Sequence, residues 1–566
     1  MSRYYRVFFY SLSILLLLLI SLSDSLYPRK DIGFLCISPG NSSIYFEHYD
    51  LTIYAEDVGE ITYFFLPAYI ELSSLDYSKS DLIILSENGD LLQNPQMNTV
   101  ESVVICDSSD NRIPYRVGFF RSENLCTIDV NLQDGEADSI SREEYSDAMI
   151  KITSSGGEVG FFSEESYIKG RGNMPWDCEK KPYDIKLSGK ASFGRLTPSD
   201  RWTLLANDLD PTNLRNKIAF DVADILKMEY VSESEWVDLY INGRYMGNYL
   251  ACHEIRKSPR GGYLLEQNEN SRVSKDRYTF KVSSGMSMTI KDPDSQGLSS
   301  GEKREIHQFV LETDRALHEN MPEAQYDIID RYSFARRYLV DEIMLNADMD
   351  LSSHFYYTRI GEGIMYAGPC WDYDKSLGYY RENRRDWTST VLTVEPLCGD
   401  WDLRLTEDEE YEDYVAKTFG QYVNDLDNIL CNKIDYYYDW INASTTMDRI
   451  RWRGTPRHIF EDDYNDVRYL KFFLYNRLQY LADEYDCKYV FSNPVPEEKI
   501  NHKVTARFED GQEELLWIPD GALLDAIDLP DFDRDIHEGW YFNFYGQYEA
   551  VSGLIPIFED VVVYLI

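Results

Sequence analysis

One stretch, residues 338–378, constrains this chain more than any other: YLVDEIMLNADMDLSSHFYYTRIGEGIMYAGPCWDYDKSLG. Phe334, Tyr338, Leu339, Ile343 and Leu345 recur at helical spacing, so an amphipathic helix over residues 325–345 ends near Leu345. A short loop follows, bearing Asp348 and Asp350. A strand (354–359), a Gly361-Glu362-Gly363 turn and a second strand (364–367) lead to Trp371, Asp372 and Asp374. Carboxylates placed this way, two in a loop and two after a hairpin, suit a general base or the ligands of a hard cation.

At 566 residues the chain is too long for a single core, and roughly three or four domains are expected. Its 43% apolar and 14% aromatic content can fill such cores despite 98 acidic residues against 56 basic ones. The net charge of −42 repels nucleic acid and anionic lipid, so neither is expected as a partner. It favours cations and basic proteins. Arg3 and Arg6 precede an apolar run from about Val7 to Leu22 and a serine-rich exit, which reads as a signal peptide over residues 1–25, with an uncleaved signal-anchor as the alternative. The nine cysteines are scattered, without zinc spacing or a disulfide framework.

Residues 26–134 read as a β-rich accessory domain of short strands and turns. A new unit, expected over 149–400, opens with Tyr167-Ile168-Lys169-Gly170-Arg171-Gly172-Asn173, a strand running into a glycine turn. Two glycines there let backbone approach a ligand and leave N–H groups for anionic oxygens. A lysine on the next strand, residues 180–187, is placed to reach phosphates as a point charge. Residues 213–227 read as a helix with Thr212 as N-cap, and only Asp221 or Asp224 could brace such a lysine from it. Residues 235–250 form a hairpin turning at Asn242-Gly243 and leading to Glu254, where a hinge is expected. A helical extension over 401–490 and a small β-grasp-like or β-repeat module over 501–566 complete the chain.

Helix, acidic loop, tight hairpin and acidic residue is the order in which protein-kinase-like enzymes present a base and a magnesium ligand to ATP. The segments YIKGRGNMPW, KKPYDIKL, RWTLLANDLDPTNLRNKIAFDVADIL, EWVDLYINGRYMGNYL, GGYLLE, YLVDEIMLNADMD and AGPCWDYDKSLG resemble the spore-coat protein H (CotH) kinase family in order and spacing. The resemblance implies an α+β, atypical protein-kinase-like two-lobed fold, here flanked by N-terminal and C-terminal all-β modules. It implies ATP, Mg2+ or Mn2+, and phosphorylation of Ser/Thr hydroxyls in secreted, cell-surface or spore-coat proteins. Asp348 matches the catalytic-loop aspartate, Asp372 the metal-binding aspartate and Asp374 its second carboxylate. Gly170, Arg171 and Gly172 match the glycine turn, and Lys186 (or Lys181) the phosphate lysine. Ser353 stands where many kinases place a second metal ligand, and Asp350 could compensate. A catalytically weak scaffold acting as a surface or spore-coat adhesion protein is the competing expectation. A calcium-stabilised surface protein and an enzyme transferring a nucleotidyl group are further ones.

Overall fold

The computed structural model describes residues 42–566 except 72–82, 87, 91, 93, 107–111, 173, 269–277, 284, 320–326, 347–352, 379–385, 394–399, 454–459, 461–462, 496–499, 533, 535, 545–546 and 552–554. The expected signal segment, Asp348 and Asp350 lie outside the described residues. The chain is α+β, as its mixed periodicities imply.

The N-terminal strands are β1 (Ser43–Phe46), β2 (Leu51–Tyr54), β3 (Glu56–Val58), β4 (Ile61–Leu66), β5 (Ile83–Ser86), β6 (Thr99–Cys106) and β7 (Arg112–Arg121). β1 and β2 pair with each other, and the rest form a sheet of order β3-β4-β7-β6-β5. Phe64, Phe65 and Phe119 are buried in one core with Tyr240, Tyr245 and Met447 from later in the chain.

Seven strands then close a barrel: β8 (Cys126–Leu132), β9 (Ser146–Thr153), β10 (Val159–Gly170), β11 (Tyr183–Ala191), β12 (Ser199–Leu205), β13 (Ser234–Ile241) and β14 (Arg244–His253). Closure comes from β8, which runs parallel to β13 with Cys126 opposite Val237. The barrel therefore begins inside the 26–134 segment read as accessory, because β8 pairs with β9 just past that boundary and with β13 more than a hundred residues downstream. Such non-local pairing leaves no local sequence signal. The β13–β14 turn is as expected, with Asn242 and Gly243 at φ +50° and +75°.

A second sheet, of order β16-β17-β15-β18-β19, joins β15 (Leu264–Asn268), β16 (Thr279–Lys281), β17 (Ser287–Asp292), β18 (His354–Thr358) and β19 (Met365–Ala367). The helices are α1 (Met174–Asp177), α2 (Arg215–Ile225), α3 (Ser300–His318), α4 (Arg331–Met344), α5 (Asp400–Thr406), α6 (Glu409–Asn428), α7 (Ile434–Arg451) and α8 (Asp463–Glu484). α2, α4, α6 and α8 share one core with the second sheet, so residues 401–490 extend that unit. Ion pairing ties them further: Arg477 of α8 contacts both the Glu342 carboxylate and, at 2.7 Å, its carbonyl. A C-terminal sheet of order β21-β20-β24-β22-β23 packs on α8: β20 (Asn501–Arg507), β21 (Glu513–Pro519), β22 (Trp540–Phe544), β23 (Gln547–Ala550) and β24 (Val561–Leu565).

The start of α2 differs from expectation. Thr212 does not cap it; Asp210, fully buried, accepts from the N–H groups of Thr212 (3.0 Å) and Arg215 (2.8 Å) and pairs with the Arg215 guanidinium. The Thr212 hydroxyl accepts the Leu214 N–H at 3.2 Å and donates to Asp210, whose carboxylate can take several donors at once. The same guanidinium donates from Nε to the Ser376 carbonyl at 2.8 Å, which holds the end of the acidic stretch against α2.

Candidate active site

A cleft of about 370 Å³ opens between the barrel and the second sheet. Its barrel wall carries Lys169, Gly170, Arg171, Gly172, Asp184 and Thr203. Glu254, Ile255 and Arg256 line it where the chain crosses from β14 to the second sheet. Glu266, Thr289, Lys291 and Phe355 come from one face of that sheet, where Glu266 pairs with both Thr289 and Phe355. Asn207, Asp208, Asn216, Ser353, Trp371, Asp372 and Asp374 also line it.

The acidic pair is turned toward the cleft by the residue between them. Tyr373 is fully buried, and its hydroxyl donates to Asp341 of α4 at 2.6 Å. Asp341 is in turn held by Arg337 Nε at 2.8 Å. The Tyr373 N–H donates to Asn216 Oδ1 of α2 at 2.8 Å. With Tyr373 clamped inward on both sides, Asp372 and Asp374 are the residues left to face the opening. Asp372 sits at φ +72°, a left-handed conformation rare outside glycine, and such strain clusters at functional sites. Ser353 Oγ donates to Asp372 Oδ2 at 3.1 Å, so the position read as a second metal ligand does lie beside the first.

The glycine turn works differently from the sequence expectation. The Gly170 N–H donates to the Ser141 carbonyl at 2.8 Å and the Arg171 N–H to that of Pro182 at 3.2 Å. Neither is available to an anion. What position 170 requires is space: a Cβ there would lie 2.1 Å from Trp176. Gly172, at φ +80°, makes the turn itself.

Lys186 and Lys181 are not among the residues that line the cleft. Lys186 extends over the Tyr167 ring at 5.0 Å, and Lys181 donates to the Trp176 carbonyl at 2.9 Å while covering its indole. For Lys186 the reason is its place along β11 and not its face. Asp184 and Lys186 share a face, but only Asp184 stands at the strand end that meets the cleft. Its neighbour across the ladder is Lys169, which does line it. Sequence reasoning passed over Lys169 although it stands directly before Gly170. Lys291 and Asn207 were likewise missed as cleft residues; only the glutamate-paired sheet face and the strand-to-helix loop bring them in.

The charges in the cleft are interlocked. Arg171 pairs with Asp184 at 3.3 Å and lies over the Trp371 ring at 5.4 Å. Lys291 pairs with Glu266 at 2.6 Å. Burial, then Asp184, raise the Glu254 carboxyl above the ordinary glutamate range, while Arg201, Arg256 and Lys169 pull it back. Asp221 of α2 does not brace a cleft lysine. It faces Lys433 (3.1 Å), Lys217 and the Tyr437 hydroxyl instead. Asp224 is exposed and outside the cleft lining.

Among the described residues no three His, Cys, Asp or Glu side chains form a ready-made metal cage. Magnesium commonly takes one or two carboxylates and completes its shell from phosphate oxygens and water. The two hard carboxylates, Asp372 and Asp374, with a hydroxyl beside them and cationic groups across the cleft, fit a hard cation held jointly with a phosphate ligand.

A comparison with curated proteins returns no match. The pattern of one family, described as CotH kinase protein, matches residues 168–481, more than half of the chain, and takes in the cleft walls from Lys169 to Asp374. The chain thus belongs to the CotH kinase protein family.

Proposed function

We propose that the chain is an ATP- and divalent-metal-dependent protein kinase, acting outside the cytoplasm on Ser/Thr hydroxyls of secreted, surface or spore-coat proteins. One observation carries the reading: a clamped Asp372-Tyr373-Asp374 segment faces cationic Lys169, Arg171 and Lys291 across one cleft, inside the family match. The barrel and the helix-backed second sheet would be the two lobes of an atypical kinase-like fold. Asp372 and Asp374 would hold Mg2+ or Mn2+, which supplies charge neutralisation on phosphate oxygens when bound. Lys169, Arg171 and Lys291 add positive charge where the phosphates would lie. Asp348, by resemblance, orients the acceptor hydroxyl and takes its proton as the new O–P bond forms and the bond from the γ-phosphorus to the ADP oxygen breaks. Lys169 takes the role first assigned to Lys186. The net charge of −42 favours a basic acceptor protein.

A second reading, a kinase-like scaffold used for adhesion, is favoured by one observation: α2 spends its carboxylate Asp221 on α7-side cations, away from the cleft. Labelled ATP with magnesium or manganese separates the two. The wild type should label itself or a basic acceptor. Asp372→Ala should lose metal-dependent nucleotide binding, whereas Asp348→Ala should bind nucleotide and fail to transfer. Absence of labelling together with absence of a nucleotide-induced thermal shift would sink the kinase reading; activity retained in either variant would move the assignment to Asp350 or Asp374.

A further inference from the structure

Asn207 stands in the loop between β12 and α2, only 4% exposed and at φ +50°, in the wall of the cleft. Its carboxamide has its direction set from outside. The Tyr373 N–H can only donate, so it fixes the Asn216 oxygen toward itself, at 2.8 Å. The Asn216 amino group is then the end that faces Asn207, and it donates to Asn207 Oδ1 at 3.0 Å. That leaves Asn207 Nδ2 as the remaining end. It is buried, and among the described residues it has no hydrogen-bond acceptor. Buried donors in folded proteins are almost always satisfied, so an unsatisfied one in a cleft wall points to an acceptor that arrives with a ligand. The cationic groups sharing that cleft, Lys169, Arg171 and Lys291, favour an anionic oxygen as that acceptor.

We propose that Asn207 Nδ2 donates to a phosphate oxygen of the bound nucleotide, and that the chain Tyr373 N–H, Asn216, Asn207 ties the direction of this donor to the backbone of the Asp372–Asp374 segment. Asn207 is a binding residue and Asn216 a positioning one. The inference rests on the nucleotide-binding reading above and deepens it. It also makes a remote substitution informative. In Asn216→Asp the carboxylate still accepts from Tyr373 but has no donor to offer. Asn207 must then rotate its amino group toward position 216 and present its carbonyl oxygen to the phosphate.

The test is calorimetric titration of the full chain with ATP and magnesium, with a melting curve for each variant. Asn207→Asp keeps the acceptor for Asn216 and tolerates the left-handed backbone; Asn207→Gly suits the same backbone and deletes the donor. Each of these, and Asn216→Asp, should weaken ATP binding by about 10- to 100-fold, the worth of one hydrogen bond to a charged group. Should one variant fail to fold, the other two carry the test. Unchanged affinity in both Asn207 variants overturns the contact, and unchanged affinity in Asn216→Asp overturns the relay. If the wild type binds no ATP, the nucleotide reading falls and the donor assignment with it; if it binds and the variants bind equally well, only the present inference falls.

Discussion

Lys180 offers the sharpest test of how this fold is held. It is 0% exposed, and its ammonium donates to Asp448 Oδ1 at 2.8 Å and to the Asn248 carbonyl at 2.6 Å, with the Tyr249 ring 4.9 Å away. Asp448, on α7, also accepts the Asn248 N–H at 3.1 Å. The pair pins the segment after the glycine turn to the barrel and to α7 together, and it sits so close to Gly247 that a Cβ there would fall 2.2 Å from Asp448 Oδ1. Lys180→Met keeps the stem and removes the charge, leaving a buried carboxylate without its cation. Breaking a buried pair from one side costs about 3–5 kcal/mol. At about 2 °C per kcal/mol for a core of this size, melting should fall by roughly 6–10 °C. Lys180→Met/Asp448→Asn removes both charges while Asn can still accept from Asn248, so it should regain about half of that loss or more. Melting curves and urea midpoints of the two variants decide the matter. A double variant no more stable than the single one would show that the cost lies in lost packing, and the argument from charge burial would be refuted.

Two further outcomes follow from the geometry. Burial, then Asp341, push the Asp402 carboxyl up to about 7, with Arg337 opposing. A folded-state value above the unfolded one, about 3.9, means that its contribution to stability is present below the unfolded value and lost as pH rises through about 7. Asp402→Asn should therefore melt level with the wild type near about pH 4 and above it near about pH 8, and parallel pH profiles would count against the assignment. Gly170→Ala drives a methyl into Trp176, so destabilisation of about 1–3 kcal/mol and a changed tryptophan emission are expected; an unaltered spectrum and melting point would mean the indole is not seated there.

Much of the architecture was legible because it is local. Asn242-Gly243 announced its hairpin through backbone chemistry, and the helical spacing of Phe334, Tyr338, Leu339 and Ile343 announced α4. The cleft residues were legible in part. Asp372, Asp374, Glu254 and the glycine turn line it, but Lys186 and Lys181 do not. Whether Lys169 or Lys186 enters the cleft depends on where each strand leaves the barrel, a property of the closed sheet and not of any short segment. The purpose of Gly170 was hidden for a similar reason, since the group it makes room for, Trp176, lies on the next element. The cap on α2 fell to Asp210 over Thr212 because the Arg215 guanidinium also needed an anion there, and what holds that guanidinium in place, the Ser376 carbonyl, is distant in sequence.

The smallest piece of this protein able to stand alone is longer than the segment that defines its family. A fragment starting at residue 168 would lack β8, β9 and most of β10, and the barrel would present raw edges on β11 and β13 open to pairing with other chains. Starting at Leu125 would restore the ring but uncover Tyr240 and Tyr245, whose cover includes Phe65; the Tyr245 and Phe65 rings lie 5.2 Å apart. That sheet shares its core with the barrel that walls the cleft, so removing it would unroof the barrel strands themselves.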